Sequence, residues 1–273
     1  MNIKSLKIFS QNVRKNKILT DTILKTQKST TNIIFIQEPP RSLIKYTPSS
    51  SSPKGEALIN ASSHPNWTCF SHEPTNQEDI LRVTTYINRK LDILRITTYI
   101  NRKLDKLRFT LRSDLINHRD INLISYNIQD KEAFVLKIYS NMSQTAIKYL
   151  CDNPLNINNV LIITGDFNIR DSDWDLLYPY HSVHSNDLIT IADSFDLDLS
   201  QPTNPGPTRF ADNPQDNNSV IDLLFLNPNN TGFNKHIIIP EICKPSDHAP
   251  LYVKVGISEE NIDIVKTSIK PDS

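Results

Sequence analysis

The chain has 273 residues, of which 38% are hydrophobic, and its formal net charge is zero. A chain of this length can bury a sizeable core, and we expect one α/β domain rather than two. The beginning of the sequence has no apolar stretch long enough for a signal peptide, and no later segment reaches the length of a membrane span. We therefore expect a soluble, intracellular protein without a membrane partner.

The zero net charge conceals two halves of opposite sign. Residues 1–136 carry 21 Lys and Arg against 12 Asp and Glu, whereas residues 137–273 carry 9 against 18. This division is typical of an acidic metal site beside a basic surface that meets phosphates, and equally of two solvated faces. The three cysteines, Cys69, Cys151 and Cys243, have neither disulfide-framework nor zinc-site spacing, so we expect buried thiols.

Two predicted strands near the beginning of the chain each end in a polar side chain. The pattern from Ile3 to Val13 predicts a strand ending near Asn12, and a short helix capped near Thr20 or Asp21 follows. A second apolar run ends in Glu38, and two prolines stop it from continuing. We expect a buried strand with a carboxylate at its tip.

A tandem duplication occupies residues 81–106, after a Ser/Pro-rich stretch that we predict to be a surface loop. Residues 81–93 (LRVTTYINRKLDI) and 94–106 (LRITTYINRKLDK) agree at 11 of 13 positions. Two copies are too few for a solenoid, so one copy is expected to supply a strand at 83–87 and the other to be an insert. The sequence leaves open which copy is which. Residues 82–119 hold ten Lys or Arg against three Asp or Glu, and a solvated face is one interpretation.

The middle of the chain contains the most informative stretch. Residues 122–126 and 133–139 predict a β-hairpin, and a helix beginning near Ser143 leads into the apolar run 161–163. That run ends in TGDFN, where Asp166 and Asn168 are two residues apart and point to one face of extended backbone. They predict a strand that presents two polar groups to one ligand, and a surface turn is the alternative interpretation.

The last third of the chain adds one charge in an unusual position. After Asn168 an Asp-rich loop at 171–175 lacks the Gly and terminal Glu of an EF-hand calcium site, so we expect solvated acids there, before a helix from about Asn186. Asp222 lies inside the apolar strand 219–225 and therefore needs a partner. Short strands at 237–239 and 251–255 enclose a polar turn at 245–250, and residues 257–273 predict a disordered tail.

Six short motifs follow one another along these elements: SQNV, IFIQE, IYS, GDFN, SVID and SDHAPL. Their order resembles the endonuclease/exonuclease/phosphatase superfamily, which has the DNase I-like fold. IQEPP, HPNW, TYIN and TGDFNIRDS are most similar to the endonuclease domains of non-LTR (LINE-type) retrotransposons. The resemblance implies two packed, mainly antiparallel β-sheets flanked by helices, as a four-layer α/β sandwich. The domain would span residues 1–256, with 257–273 as its tail.

The resemblance also implies a metal-dependent phosphodiester hydrolase. Glu38 would bind Mg²⁺ or Mn²⁺, with Asn12 and Asp247 close to the ion, because hard oxygen ligands suit these cations. Asp166 would orient and deprotonate the attacking water, and Asn168 would hold the water or the phosphate. Phosphodiester hydrolysis needs such a cation, a positioned water and support for the charge that develops.

Three further residues are assigned to the phosphate by the same resemblance, in addition to Asn12 and Asn168. Tyr139 would contact the phosphate, and Thr208 would add a hydroxyl contact. His248, paired with Asp222, would bond a phosphate oxygen as imidazolium, which supplies the partner that Asp222 needs.

The chain departs from the family pattern after Asn12. Many members continue with a small or acidic residue and Gly, whereas this chain has Val13-Arg14-Lys15-Asn16. A secondary metal contact is therefore expected to be missing, with Arg14 replacing it electrostatically. The duplication is a second departure, because extra residues inside a paired strand would shift its register. The chain also has no reverse transcriptase region, which fits a detached domain or a degenerating copy.

These observations favour an endonuclease that nicks DNA and recognises groove shape more than base edges. A phosphomonoesterase or inositide phosphatase of the same fold is one alternative, although it would need a compact basic pocket. A relic that binds DNA without cutting is another. We expect a monomer with no obligate protein partner, and a nuclear location where the substrate is chromosomal DNA.

Overall fold

The computed structural model describes residues 5–27, 31–40, 46–47, 58–59, 67–70, 83–88, 109–128, 131–213, 215–227, 235–242 and 245–256. In chain order the elements are β1 (Ser5–Asn12), α1 (Lys17–Thr26), β2 (Ile33–Gln37), β3 (Tyr46–Thr47), β4 (Leu58–Ile59), β5 (Trp67–Phe70), β6 (Val83–Asn88), β7 (Phe109–Leu111), β8 (Ile121–Ile128), β9 (Lys131–Tyr139), α2 (Thr145–Asp152), β10 (Val160–Asp166), α3 (Val183–Asp193), β11 (Asp198–Leu199), β12 (Asp222–Leu226), β13 (Lys235–Ile238) and β14 (Leu251–Gly256).

The strands form two mixed sheets. The first has the order β13-β14-β1-β2-β6-β5-β4-β3, and the second has the order β11-β12-β10-β9-β8-β7. Most neighbouring strands are antiparallel, but β1 is parallel to β2 and β9 is parallel to β10. The prediction of two mainly antiparallel sheets is confirmed.

The two sheets pack face to face through a shared apolar core. Ile8 and Phe35 of the first sheet belong to the same buried cluster as Val135 and Ile162 of the second sheet. All residues of β2 and of β10 are buried. Strands covered on both faces have no polar face to alternate with, which explains the continuous apolar runs in the sequence.

The helices cover the outer faces of the sandwich. Leu19, Ile23 and Leu24 of α1 pack against the first sheet, in a cluster with Ile34 and Trp67. The apolar residues of α2 and α3 pack in one cluster with β8, β9, β10 and β12 of the second sheet. The order helix, sheet, sheet, helix is the expected four-layer sandwich.

Two helices begin earlier than the sequence pattern predicts. The side chain of Asn16, and not Thr20 or Asp21, caps α1 by accepting the N–H of Leu19 at 2.9 Å. α3 begins at Val183 behind the cap Ser182, three residues before the predicted Asn186. In both cases a capping side chain outside the apolar pattern sets the start.

Two expectations about burial are wrong. Cys69 is buried as expected but Cys151 is exposed on α2, and Cys243 lies outside the described residues. In the Asp-rich loop only Asp173 is exposed, whereas Asp171 and Asp175 are buried.

The two buried acids of this loop are satisfied internally. Asp171 accepts hydrogen bonds from the backbone of Asp173 and Ser182 and from the hydroxyl of Ser185. Burial alone would raise the pKa of Asp171, but these bonds lower it to about 2. Asp175 pairs with Arg170 at 3.0 Å. The loop is therefore built around its acids.

The first copy of the duplication supplies a strand of the first sheet. β6 lies between β2 and β5, with Thr85 opposite both Phe35 and Phe70. This confirms the predicted strand at 83–87 and answers which copy provides it. The second copy, residues 94–106, lies outside the described residues. Among the helices of the described residues, none is long and apolar enough to cross a membrane.

A matched pair of proline substitutions tests the role of the two copies. Thr85 and Thr98 occupy equivalent positions in the duplication. Thr85→Pro removes a ladder hydrogen bond from a strand paired on both sides, and we expect the Tm to fall by at least about 5 °C. Thr98→Pro is expected to change the Tm far less. Equal falls in the two melting curves would show that either copy can occupy the sheet.

Candidate active site

The predicted site residues come together at one edge of the sandwich. Asn12, Tyr139 and Asp166 end β1, β9 and β10, and Glu38 directly follows β2. Asp222 begins β12, and Asp247 and His248 precede β14. We call this the site edge. It arises because β1 and β2 run parallel, as do β9 and β10, so their carboxyl ends meet.

Gly165 sets the spacing between β9 and β10 at the site edge. A Cβ at this position would lie 1.8 Å from the carbonyl oxygen of Ile138, so no other residue fits without moving the backbone. Gly165 pairs with Ile138 and the next pair is Asp166 with Tyr139. The glycine of the GDFN motif therefore determines how closely Asp166 approaches Tyr139.

His248 lies between two buried acids. Its Nδ1 is 2.8 Å from Oδ2 of Asp222, and its Nε2 is 3.9 Å from Oδ2 of Asp166. The pairing with Asp222 that the resemblance implies is thus present in the structure. β10 and β12 bring the two acids together, since Asp166 and Asp222 are opposite each other in the antiparallel ladder.

Burial and charge together change the pKa values of this group. Burial alone would lower the pKa of His248, but the negative charges of Asp222 and Asp166 raise it to about 9. Burial raises the pKa of Asp166 to about 7, and the charge of His248 opposes that rise. His248 is therefore an imidazolium at neutral pH, and Asp166 titrates near neutrality.

Asn12 links the acids of the site. Its Nδ2 donates to Oδ2 of Asp166 at 2.9 Å and lies 3.5 Å from Oε1 of Glu38. The hydroxyl of Tyr139 donates to the same oxygen of Glu38 at 2.9 Å. Glu38 has a φ of 45° and is half-buried, whereas Asn12 and Tyr139 are buried. Glu38 is thus held by two donors at the rim of the site.

Asp247 is held by two arginines. Oδ2 of Asp247 lies 3.1 Å from Nη1 of Arg14 and 3.2 Å from Nε of Arg209. Its Oδ1 is buried, is 3.8 Å from Nε2 of His248, and has no hydrogen-bond partner among the described residues. The sequence suggested a role for Arg14, but Arg209 had no motif to indicate it.

The side chains of Asn168 and Thr208 form hydrogen bonds with backbone groups and not with the acids of the site. Asn168 is half-buried, its Nδ2 donates to the carbonyl of Ser140 at 2.7 Å, and its N–H donates to Oδ1 of Asp166 at 3.2 Å. The hydroxyl of Thr208 is buried and accepts the N–H groups of Ile221 and Asp222. Thr208 therefore supports the strand that carries Asp222.

Several buried polar residues to which the sequence assigned no role hold the site together. The hydroxyl of Ser246 donates to the carbonyl of Asn12 at 2.7 Å and accepts the N–H of His248 at 3.1 Å. Gln144 accepts the hydroxyl of Ser140 at 2.6 Å and donates to the carbonyl of Asn168 at 3.1 Å. Ser246 and Ser140 lie in quoted motifs, but Gln144 lies in none and reaches Asn168 across 24 positions of the sequence.

Lys137 is buried between the sheets below the site. Its Nζ donates to the hydroxyl of Ser10 at 3.2 Å and lies 5.9 Å from the ring centre of Phe35. Burial lowers the pKa of Lys137 to about 7, although the charges of Asp222 and Asp166 oppose the shift. Nothing in the sequence distinguishes this lysine from a surface residue except its place two residues before Tyr139, on the inward face of β9.

The donor set at the site edge fits a divalent cation. Glu38 offers a half-buried carboxylate, and Oδ1 of Asp247 is an unpaired oxygen among the described residues. Donor atoms of Asp166, Asp222 and His248 also lie within 4.8 Å of one another. The protonated His248 already supplies positive charge to that second cluster, so Glu38 suits a cation better.

A cavity of about 440 Å³ lies beside β12 and includes few of these groups in its wall. Asp222 and Thr208 form part of its wall, together with Trp174, Leu199 and His236. Asn12, Glu38, Asp166 and His248 do not line it. The cavity therefore meets the site edge only at Asp222 and Thr208, and the other polar groups of the site lie outside it.

Part of the sequence and most of the fold are similar to known proteins. The model of a family described as endonuclease-reverse transcriptase matches residues 121–252. The endonuclease domain of TRAS1, a telomere-specific non-LTR retrotransposon, has a similar structure with a TM-score of 0.63 and 12% identity, over 92% of this chain and 98% of that chain. The fold is that of the DNase I-like endonuclease/exonuclease/phosphatase superfamily. The resemblance stated from the motifs is confirmed at this level.

Two further solved structures are similar in fold to this chain. The AP endonuclease LMAP from Leishmania major has a TM-score of 0.60 and 12% identity, over 93% of this chain and 89% of that chain. The 3′ phosphatase NExo from Neisseria, bound to a product DNA hairpin, has a TM-score of 0.54 and 16% identity, over 93% of this chain and 99% of that chain. No curated protein matches the chain in sequence. The fold is that of hydrolytic nucleases and phosphatases.

The pKa of His248 predicts how stability depends on pH. Because this pKa rises from 6.5 to about 9 on folding, the stabilisation is complete below pH 6.5 and is lost as the pH rises through about 9. His248→Gln removes it, at a cost of roughly 3 kcal/mol at pH 6.5. Urea unfolding is expected to show that the wild type and His248→Gln differ in free energy of unfolding at pH 6.5, and that this difference disappears as the pH rises to 9.5. A difference in free energy of unfolding that stays constant over this pH range would contradict a charged pair between His248 and Asp222.

Proposed function

We propose that the chain is a divalent-metal-dependent phosphodiester hydrolase that nicks DNA. The observation that carries the proposal is the buried network in which Asn12, Asp166, His248 and Asp222 follow one another at the site edge. The network combines a base, Asp166, with the imidazolium of His248, which can bind a phosphate oxygen. Asn12 and Asp222 orient these two groups.

Asp166 is the general base for the attacking water. Its pKa is about 7, and a base works best when its pKa lies near the working pH. Asn12 holds Oδ2 and the N–H of Asn168 holds Oδ1, so the carboxylate is fixed before substrate binds. The side chain of Asn168 is assigned to hold the water or the phosphate.

His248 stabilises the negative charge that develops on the phosphate. Nδ1–H donates to Asp222, which leaves the Nε2–H of the imidazolium for a phosphate oxygen. A donor fixed in a buried site loses little free energy to reorganisation during the reaction. Thr208 contributes by holding the backbone N–H of Asp222, and we assign it to positioning instead of direct phosphate contact.

Glu38 is the main ligand for a divalent cation such as Mg²⁺ or Mn²⁺, with Asn12 and Asp247 close by. When bound, the cation polarises a phosphate oxygen and neutralises charge on it. Tyr139 orients Glu38 through its 2.9 Å hydrogen bond and is assigned a contact with the same phosphate.

A DNA substrate is supported by the similar structures and by the charges at the site edge. Arg14, Lys15 and Lys17 are exposed at the end of β1, and Arg209 is half-exposed nearby. In the basic stretch at 82–119, only residues 83–88 and 109–119 are described, and there Arg112 is paired with Asp114 and Glu132. The quoted motifs and the similarity to the TRAS1 domain support an origin in a non-LTR retrotransposon.

Plasmid nicking tests the proposal directly. We expect the protein to relax supercoiled plasmid with Mg²⁺ but not with EDTA, and Asp166→Asn to reduce the rate by at least about 100-fold because the base is lost. Asp173→Asn, which removes an exposed acid of the neighbouring loop, is the matched control and is expected to keep the rate.

The other outcomes separate the alternatives. Nicking that survives Asp166→Asn contradicts the assignment of the base. Retention of DNA without any nicking favours a relic that binds but does not cut. Release of phosphate from a DNA 3′-phosphate or an inositol phosphate, without nicking, favours a phosphatase of the same fold.

The metal assignment predicts a shift in cation dependence. Glu38→Gln weakens the ligand, so the Mg²⁺ concentration for half-maximal nicking is expected to rise by about tenfold or more. Binding of Mn²⁺, followed by its electron paramagnetic resonance signal, is expected to weaken in parallel. Glu241→Gln removes an exposed carboxylate that has no assigned role in the site and serves as control. Equal Mn²⁺ affinity in Glu38→Gln and the wild type would refute this role.

A further inference from the structure

Two arginines from distant parts of the chain converge on one carboxylate oxygen. Arg14 and Arg209 approach Oδ2 of Asp247 at 3.1 and 3.2 Å. Two guanidinium groups against one carboxylate leave a net positive charge at this point of the surface. Arg14 also contacts Asp212, but that acid has 76% of its side chain exposed and contributes little after solvent screening.

The arginines are exposed while their anchor is buried. The side chains of Arg14 and Arg209 are 48% and 42% exposed, and that of Asp247 is 4% exposed. Arg14 uses only Nη1 and Arg209 uses only Nε for side-chain contacts within the described residues. Each fork therefore has N–H groups left for a ligand at the site edge.

The backbone holds both arginines beside the proposed phosphate site. The N–H of Arg14 donates to Oδ1 of Asn12 at 2.9 Å. The backbone of Arg209 forms isolated antiparallel β-bridges with both Ser219 and His248. Each arginine is thus attached to a residue that the proposed mechanism uses, which limits the entropy lost when a ligand binds.

We propose that Arg14 and Arg209 form a clamp for one phosphate group of the bound nucleic acid, with Asp247 as its anchor. The clamp rests on the proposed function, because it identifies the substrate as a polyanion that continues past the reacting phosphate. Guanidinium forks match phosphate oxygens in shape and form strong charge-assisted hydrogen bonds. A phosphate also supplies the negative charge that Asp247 alone does not provide for two arginines. This role is not indicated by the motifs, which place Asp247 near the metal.

Binding to uncut duplex DNA in EDTA tests the clamp without any hydrolysis. Arg14→Gln and Arg209→Gln are each expected to weaken binding by about tenfold and to reduce the salt dependence by about one ion. Since both arginines hold the same phosphate, the double variant is expected to bind only about two- to threefold more weakly than either single variant. Lys15→Gln is the matched control, with the same loss of charge at an exposed neighbour of Arg14.

Several results would overturn the clamp. If the losses of DNA affinity in the two single variants multiply in the double variant, the arginines act on separate phosphates. If each single variant loses no more affinity than Lys15→Gln, the arginines provide charge alone. Arg→Lys variants are expected to recover only part of the affinity, because they keep the charge and lose the fork. Unchanged melting curves show that the variants are folded. Wild-type protein that nicks DNA while the arginine variants bind normally refutes only the clamp, whereas wild-type protein that does not bind DNA refutes both proposals.

Discussion

Asp166 and Asp222 face each other across β10 and β12, so two carboxylates are buried side by side. Such a pair is stable only when cations are buried with it, because desolvated charges of one sign repel strongly. His248 provides one cation in contact with both acids, and Lys137 provides a second one below them. The charges balance when all four groups are ionised, and the pKa values of Asp166, His248 and Lys137 each depend on charged neighbours in this group.

This charge balance also connects the two sheets. Lys137 belongs to β9 of the second sheet but donates to Ser10 of the first sheet, and Asn12 reaches from the first sheet to Asp166 in the second. The apolar core between the sheets therefore ends in a polar layer at the site edge. Packing of the sheets and assembly of the site depend on the same few contacts, so the fold and the chemistry are coupled at this edge.

Much of the architecture could be predicted because strands buried on both faces have continuous apolar runs, and the polar residue that ends each run marks the site edge. Asp222 could be identified as needing a partner from the same reasoning. Arg209, Gln144 and Lys137 could not be predicted, since their roles come from contacts with Asp247, Asn168 and Ser10 at long sequence separation. The burial of Asp171 was missed because an acidic loop looks solvated until its backbone donors are known.

The close approach at Gly165 has a consequence for how this site can change. Because backbone contact fixes the distance from Tyr139 to Asp166, that distance does not depend on the side chains of the surrounding core. The segments that leave the two strands, after Ser140 and after Asn168, can then vary in length and composition while the reacting groups keep their places. Gly165 thus separates the choice of substrate, which the loops can alter, from the chemistry, which the strand pair preserves.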